Sequence, residues 1–195
     1  MDQTPHSRRI LVIDAHPDPD PAHFDHALAA AYCEGAAAHD VTVLKLANLD
    51  FPFLRRPSDW MEGAPPPAIA ATQEQIRAAE HIVLIYPLWL GDVPALLKAF
   101  LEQVMRPGFA LAYRKSGLPK KLLKGRTAHL VVTMGMPALF YRLVYGAHSV
   151  KSLERNILKF VGIRPIARSI IGGVEDAETR GEWLQRMRDA GRDGR

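Results

Sequence analysis

The chain has 195 residues, 48% hydrophobic and 24% charged, a balance that excludes a disordered chain and suits one α/β domain with a single core. The net charge of +4 and the isoelectric point near 9.3 favour anionic cofactors or acceptors. With no basic stripe interleaved with aromatics, they do not describe a nucleic-acid binder. The single cysteine, Cys33, excludes an intrachain disulfide, fits a reducing cytoplasm and reads as small core filler.

In chain order, residues 9–15 (RILVIDA) form a short β-branched run, expected as a buried parallel strand rather than a signal peptide. No run approaches the roughly 20 apolar residues that span a bilayer. Residues 16–22 (HPDPDPA) carry three prolines and must be a loop. Phe24, Ala27, Leu28 and Ala31 then repeat with helical spacing. Residues 41–46 (VTVLKL) are a second strand, and residues 48–67, rich in proline and aromatics, read as an irregular functional or interface loop. A helix over 68–79 precedes the third strand, 81–86 (HIVLIY). Pro94 opens a helix whose apolar face is Leu97, Phe100, Leu101, Val104 and Met105, stopped by Pro107 and Gly108. Residues 127–133 (TAHLVVT) form a fourth strand. Val150, Leu153, Ile157 and Val161 mark a helix closed by Gly162, 163–171 form a fifth strand, and a last helix runs through Trp183, Leu184 and Met187.

Strands and helices alternating in this way give a three-layer α/β fold: a five-stranded parallel sheet with helices on both faces. Ligands in such sheets bind at the carboxyl ends of the strands, where the strand order reverses. The loops at 16–24, 87–94 and 133–148 are therefore expected to build the site. The first leads into a helix N-terminus, which binds phosphate through free N–H groups. It lacks both GxGxxG and GxxxxGK[ST], which argues against a Rossmann dehydrogenase and a nucleotide kinase. His16 there either bonds a phosphate or caps its own turn. In the second loop, Trp89 lies either in the core or against a flat ring, and the turn position points to the ring. In the third, Gly135 permits close backbone approach, and Tyr141 and His148 offer hydrogen bonds to developing charge. No metal site is expected.

Together these segments resemble the quinone-reductase branch of the flavodoxin superfamily, the DT-diaphorase type, with its modulator-of-drug-activity-B and potassium-efflux ancillary relatives. The likeness runs over about residues 9–174, leaving a C-terminal helix and basic tail over 175–195. It is most specific in residues 82–110 (IVLIYPLWLGDVPALLKAFLEQVMRPGFA), with further matches at His16-Pro17 and at Thr133-Met134-Gly135 followed by Tyr141 and a nearby His. The resemblance implies a flavin, FAD ahead of FMN, with NAD(P)H as co-substrate and a quinone-like acceptor reduced in a ping-pong cycle. It places the flavin phosphate on His16, His23, Phe24 and Asp25. It places the ring on Pro87, Leu88, Trp89 and Leu90, and the pyrimidine side on Thr133, Met134, Gly135 and Met136. Tyr141 and His148 are the implied hydride-transfer partners, the histidine with a one-residue shift. It further implies a cytoplasmic homodimer with residues 48–67 near the interface.

There are departures from the pattern. His23-Phe24-Asp25 replaces Ser-x-Asn, Gly135-Met136 replaces paired glycines, and Leu90 stands for a second aromatic. Asp25 beside a phosphate is repulsive unless it caps the helix. The rival from another class is a flavin-binding regulatory or electron-carrier module, such as an ancillary subunit of a cation-efflux system. The basic charge counts against a one-electron carrier, since those are usually acidic.

Overall fold

The computed structural model describes residues 7–195. Five parallel strands form one sheet: β1 (Arg9–Asp14), β2 (Asp40–Lys45), β3 (His81–Pro87), β6 (Thr127–Thr133) and β7 (Arg164–Ile171), in the order β2-β1-β3-β6-β7. Two short strands, β4 (Leu111–Ala112) and β5 (Lys120–Lys121), pair separately and antiparallel. β3 is buried along its whole length, and β1 and β6 are exposed or half-exposed only at their first residues. This accounts for their continuous apolar runs. β7 is an edge strand. Its register slips opposite Ala128 and His129, where Pro165 cannot donate to the ladder.

One face of the sheet packs under α1 (Phe24–Gly35) and α8 (Ala177–Arg192), with Val12, Leu28, Tyr32, Val83 and Met187 at its centre. The other face packs under α3 (Pro67–Ala78), α4 (Ala95–Val104) and the helical stretch α6 (His148–Ser152), a π turn (Leu153–Leu158) and α7 (Lys159–Val161). The apolar faces foreseen for the helices after β1 and β3 are the buried ones: Phe24, Leu28 and Ala31 on α1, and Leu97, Phe100, Leu101 and Val104 on α4. Gly162 ends the helical stretch at a φ of 108°.

Two expectations change. Residues 48–67 are only partly irregular, because they hold α2 (Pro57–Met61). This segment is clamped to α4: the buried Arg106 guanidinium donates to the Asp59 and Gly63 carbonyls at 2.6 and 2.8 Å, and Gln103 donates to the Pro52 carbonyl at 2.6 Å. The region after β6 is not a loop throughout, since α5 (Ala138–Leu143) follows Pro137. The C-terminal helix expected within residues 175–195 is α8, and it is part of the packed fold. A Cβ at Gly35 would stand 1.9 Å from the Arg188 carbonyl oxygen, and one at Gly191 would stand 2.1 Å from that of Tyr32, so α8 and α1 touch backbone to backbone. Among the described residues, no helix is long and apolar enough to cross a membrane, and no group of three or more His, Cys, Asp or Glu is placed to hold a metal ion.

Candidate functional site

β1 and β3 are neighbours, and the chain winds outward from them in opposite directions. The loops after them therefore open a crevice at their carboxyl ends. His16, just past β1, is buried and joins both loops. Its ring stacks on His23 at 3.9 Å between centroids and meets the Trp89 ring edge-on at 6.0 Å. His16 Nδ1 lies 3.1 Å from the Asp18 carbonyl and 3.2 Å from the Asp18 N–H, so the turn-capping role foreseen as one alternative exists here. Burial, chiefly, lowers its pKa, followed by the opposing Asp18 backbone bond and the charges of His23 and His26.

His23 is the N-cap of α1, yet its side chain caps nothing, which leaves the helix start open. Its Nε2 lies 3.0 Å from an Asp18 carboxylate oxygen without hydrogen-bond geometry. Beneath this start sits a buried acidic pair. Asp14 accepts from His26 Nδ1 at 2.6 Å, while His26 Nε2 faces the Asp18 carbonyl at 3.0 Å. Both partners are acceptors, so the His26 ring is held as imidazolium. Burial works against that charge. The Asp14 hydrogen bond and charge, with help from Asp18 and Asp25, outweigh it and raise the pKa. Asp25 does not cap α1; its carboxylate accepts from the Thr133 hydroxyl at 2.8 Å. Burial lifts its pKa to about 6, against the Thr133 bond and with the Asp14 charge adding to the rise. One oxygen of each carboxylate is buried without a partner.

The turn after β3 is a two-residue hairpin. Trp89 N–H donates to the Asp92 carbonyl and Asp92 N–H to that of Trp89, both at 3.0 Å. Leu90 and Gly91 take φ values of 49° and 80°, the doubly positive pair this turn requires. Glycine adopts it freely, whereas leucine bears a strain of about 1–2 kcal/mol. The turn leaves Leu90 fully exposed and Trp89 half exposed, while Pro87 and Leu88 stay at the core side. The Leu88 N–H bonds the Thr133 carbonyl at 2.8 Å, tying this loop to the one after β6. There, Gly135 is exposed, with space open for 4 Å around any Cβ. Met134 is buried and Met136 half-buried against the core.

Two residues expected at the ligand are elsewhere. Phe24 packs into the core under α8, with the Arg180 guanidinium 4.9 Å above its ring. Tyr141 lies on α5, fully buried, with its hydroxyl 2.5 Å from Ser149 Oγ. The periodicity of a six-residue helix is too short to read, which is why a loop was expected. The surface position belongs to Tyr145, which sequence reasoning missed. Its ring is 44% exposed, stacked beside Tyr141 at 6.4 Å and set 6.4 Å from His148. The signal was present as Tyr145-Gly146-Ala147-His148. His148 Nδ1 donates to the Tyr145 carbonyl at 2.9 Å, which leaves Nε2 as the free nitrogen. His148 also lies at the Leu90–Gly91 turn, its Cε1 4.0 Å from the Cβ position of Gly91.

These residues fit a flat, phosphate-bearing group. The open start of α1 and two imidazoles suit an anion, while the exposed indole, Leu90 and the space at Gly135 suit a ring. The buried Asp25 sits below this start and is protonated more readily than an ordinary carboxyl.

A doubly wound parallel sheet with such a crevice at its switch point defines an open α/β protein of the class whose ligands sit at the carboxyl ends of the strands. More narrowly, the chain belongs to the flavodoxin-like fold family, whose model matches residues 8–192. It is 32% identical over 126 residues to an FMN-dependent NADH:quinone oxidoreductase of Bordetella avium, covering 59% of this chain and 62% of that one. The matched stretch is about half the length of several other curated relatives. Among solved structures, it is similar to an NAD(P)H:quinone oxidoreductase from Methanothermobacter marburgensis, with 26% identity, a TM-score of 0.79 and 96% of each chain covered. An FMN-dependent NADH-azoreductase from Bacillus anthracis, solved with FMN, shares the fold at 18% identity and a TM-score of 0.77, over 94% of this chain and 97% of that one.

Proposed function

We propose that the chain is a flavin-dependent oxidoreductase that moves hydride from NAD(P)H to a quinone-like acceptor. The observation that carries this is His16, which joins the open start of α1 to the exposed turn after β3 and so sets an anion site beside a ring site. The relatives' names support FMN and give no support to FAD, so FMN replaces FAD as the expected flavin.

In this reading His16, His23 and the first N–H groups of α1 hold the phosphate. Trp89 and Leu90 wall the ring, and Thr133 to Met136 approach its pyrimidine side. When bound, the flavin supplies the two-electron chemistry, taking hydride from the nicotinamide and giving it to the acceptor. The backbone N–H groups at Gly135 and Met136 stabilise negative charge. Tyr145 and His148, at the same mouth, hold or deliver the acceptor's proton. Donor and acceptor share the one face bounded by Leu90 and His148, so they bind in turn and the kinetics are ping-pong. The chain acts as a single domain, completed by α8 and paired as a homodimer through the exposed Phe53 and Met61 of the 48–67 segment.

The test is an absorbance spectrum of the purified protein with and without added FMN, followed by NADH oxidation with menadione. Flavin bands and turnover are expected. A protein that binds neither FMN nor FAD overturns the reading, and flavin binding without turnover turns it into the carrier or regulatory module.

A further inference from the structure

Several surface cations are paired with a neighbouring acid. Lys98 meets Glu102, Arg77 meets Glu74, Arg188 meets Glu34 and Arg192 meets Asp189. One groove instead gathers cations with no such partner around a concave surface. It is a cavity of about 690 Å³ running from Tyr145 and His148 along the helical stretch that ends at Val161, and it is lined by Lys151, Arg155, Lys159 and Arg168.

Lys151, Arg155 and Lys159 are exposed and all line this groove, which puts them on one side of the helical stretch. Like charges gathered in this way repel. Among the described residues none of the three has a carboxylate within ion-pair distance. The nearest acid in sequence, Glu154, is not available: it is buried, and both its oxygens are taken by the Arg168 guanidinium. That pair is neutral as a unit, and the stripe keeps three uncompensated positive charges. Such an arrangement is stabilised by a polyanion laid along it. The volume suits a nucleotide-sized ligand.

The groove shares Tyr145 and His148 with the mouth described above, so a ligand seated here is continuous with one whose flat end enters the ring site. We propose that this groove binds the phosphate-bearing half of the hydride donor, and that it favours NADPH over NADH because the 2′-phosphate meets Arg155 and Lys159. The inference rests on the oxidoreductase reading, and it departs from the NADH named for the Bordetella relative.

Two measurements separate the groove from that reading. The first is calorimetric titration of the full chain, without nicotinamide, using adenosine 2′,5′-bisphosphate and adenosine 5′-monophosphate. The bisphosphate is expected to bind at least about tenfold tighter, since a charge-assisted contact is worth that much. The preference is expected to shrink with added salt and to vanish in Arg155→Gln/Lys159→Gln. Both residues are exposed, and an unchanged melting temperature verifies that the variant folds. The second is steady-state kinetics, in which the double variant is expected to raise KM for NADPH about tenfold more than KM for NADH, with little change in kcat for either. Turnover with an NADPH/NADH ratio that the variant does not move overturns the groove and leaves the oxidoreductase reading standing. Selective bisphosphate binding without turnover supports the groove and removes the reading it rests on. Equal binding of the two adenosine phosphates overturns the proposal. So does capture of phosphatidylserine vesicles by wild type but not by the variant, with no preference for the bisphosphate.

Discussion

At residue scale, the side chains that matter sort by whether their polar atoms are already taken. Tyr141 has no exposed surface and its hydroxyl is bonded to Ser149, so it cannot meet an acceptor without breaking the core. Tyr141→Phe is expected to cost roughly 1–2 kcal/mol in urea unfolding, the price of an orphaned Ser149 hydroxyl, and to leave the rate of flavin reduction unchanged. Tyr145→Phe is expected to do the reverse, slowing one half-reaction in stopped flow with an unaltered melting temperature. Wild-type traces for Tyr145→Phe alongside slowed ones for Tyr141→Phe would restore the residue that the resemblance singles out.

Asp25 gives a second residue-scale expectation. Its folded pKa of about 6 lies above the ordinary 3.8, so the native state binds its proton more tightly. The group therefore contributes no penalty at low pH, loses stability as pH rises from 3.8 to 6, and bears its full cost of about 3 kcal/mol above that. Asp25→Asn keeps an acceptor for Thr133 and removes the charge. It should raise unfolding stability at pH 7.5 by up to about 3 kcal/mol and leave stability near pH 4 almost unmoved. A loss of stability at pH 7.5 would show that the ionised carboxylate is compensated.

At element scale, the strands and long helices were legible because each carries its own signal. β1, β3 and β6 are unbroken apolar runs, and α1 and α4 repeat their apolar residues on one face. What escaped depends on distant partners. Residues 48–67 have neither periodicity nor a core run, and their order comes from Arg106, 47 and 43 residues from the carbonyls of Asp59 and Gly63 that it binds. Asp25 and Thr133, which meet across 108 residues, were each expected near the ligand, yet the bond between them was not legible. The crevice itself could be placed from the alternation of elements, because switch-point geometry follows from winding. The three-residue basic stripe needed the structure to show that Glu154 is turned away toward Arg168. The Arg106 clamp predicts a local effect: Arg106→Met should lose roughly 2–4 kcal/mol and expose residues 50–66 to limited proteolysis ahead of the sheet. Cleavage at unchanged rate, with intact stability, would mean that the Trp60–Tyr113 and Phe51–Phe100 ring contacts hold the segment alone.

At the scale of the whole molecule, the two ends of the sheet do different work. The carboxyl ends carry the crevice, while the opposite end is closed by Arg8, Gly194 and Arg195. There Arg8 donates to the Gly194 carbonyl at 2.6 Å, and His129 approaches the Arg195 carbonyl at 3.4 Å and Ser169 Oγ at 2.9 Å. His81, beside it on β3, is fully buried and bonded to Thr127 at 2.7 Å. Burial is the main force on both rings, pushing the pKa of His81 down to about 3 and that of His129 to about 4. An unfolded histidine takes its proton near 6.5, so below that pH the unfolded state binds protons that the native state refuses. Stability is whole above 6.5 and falls as pH drops toward 4. At pH 5 the pair should cost about 4 kcal/mol, of which relief at Asp25 returns about 1. A net loss of this size is a large share of the stability of any domain. The melting temperature is therefore expected to fall well before carboxylates of ordinary pKa titrate, and His81→Gln/His129→Gln should flatten that fall between pH 7 and 5 while leaving FMN binding at the far end of the sheet as it was. A double variant that keeps the full acid slope would move its origin to His16 at the crevice, whose pKa burial also lowers, and FMN affinity would then change over the same range of pH.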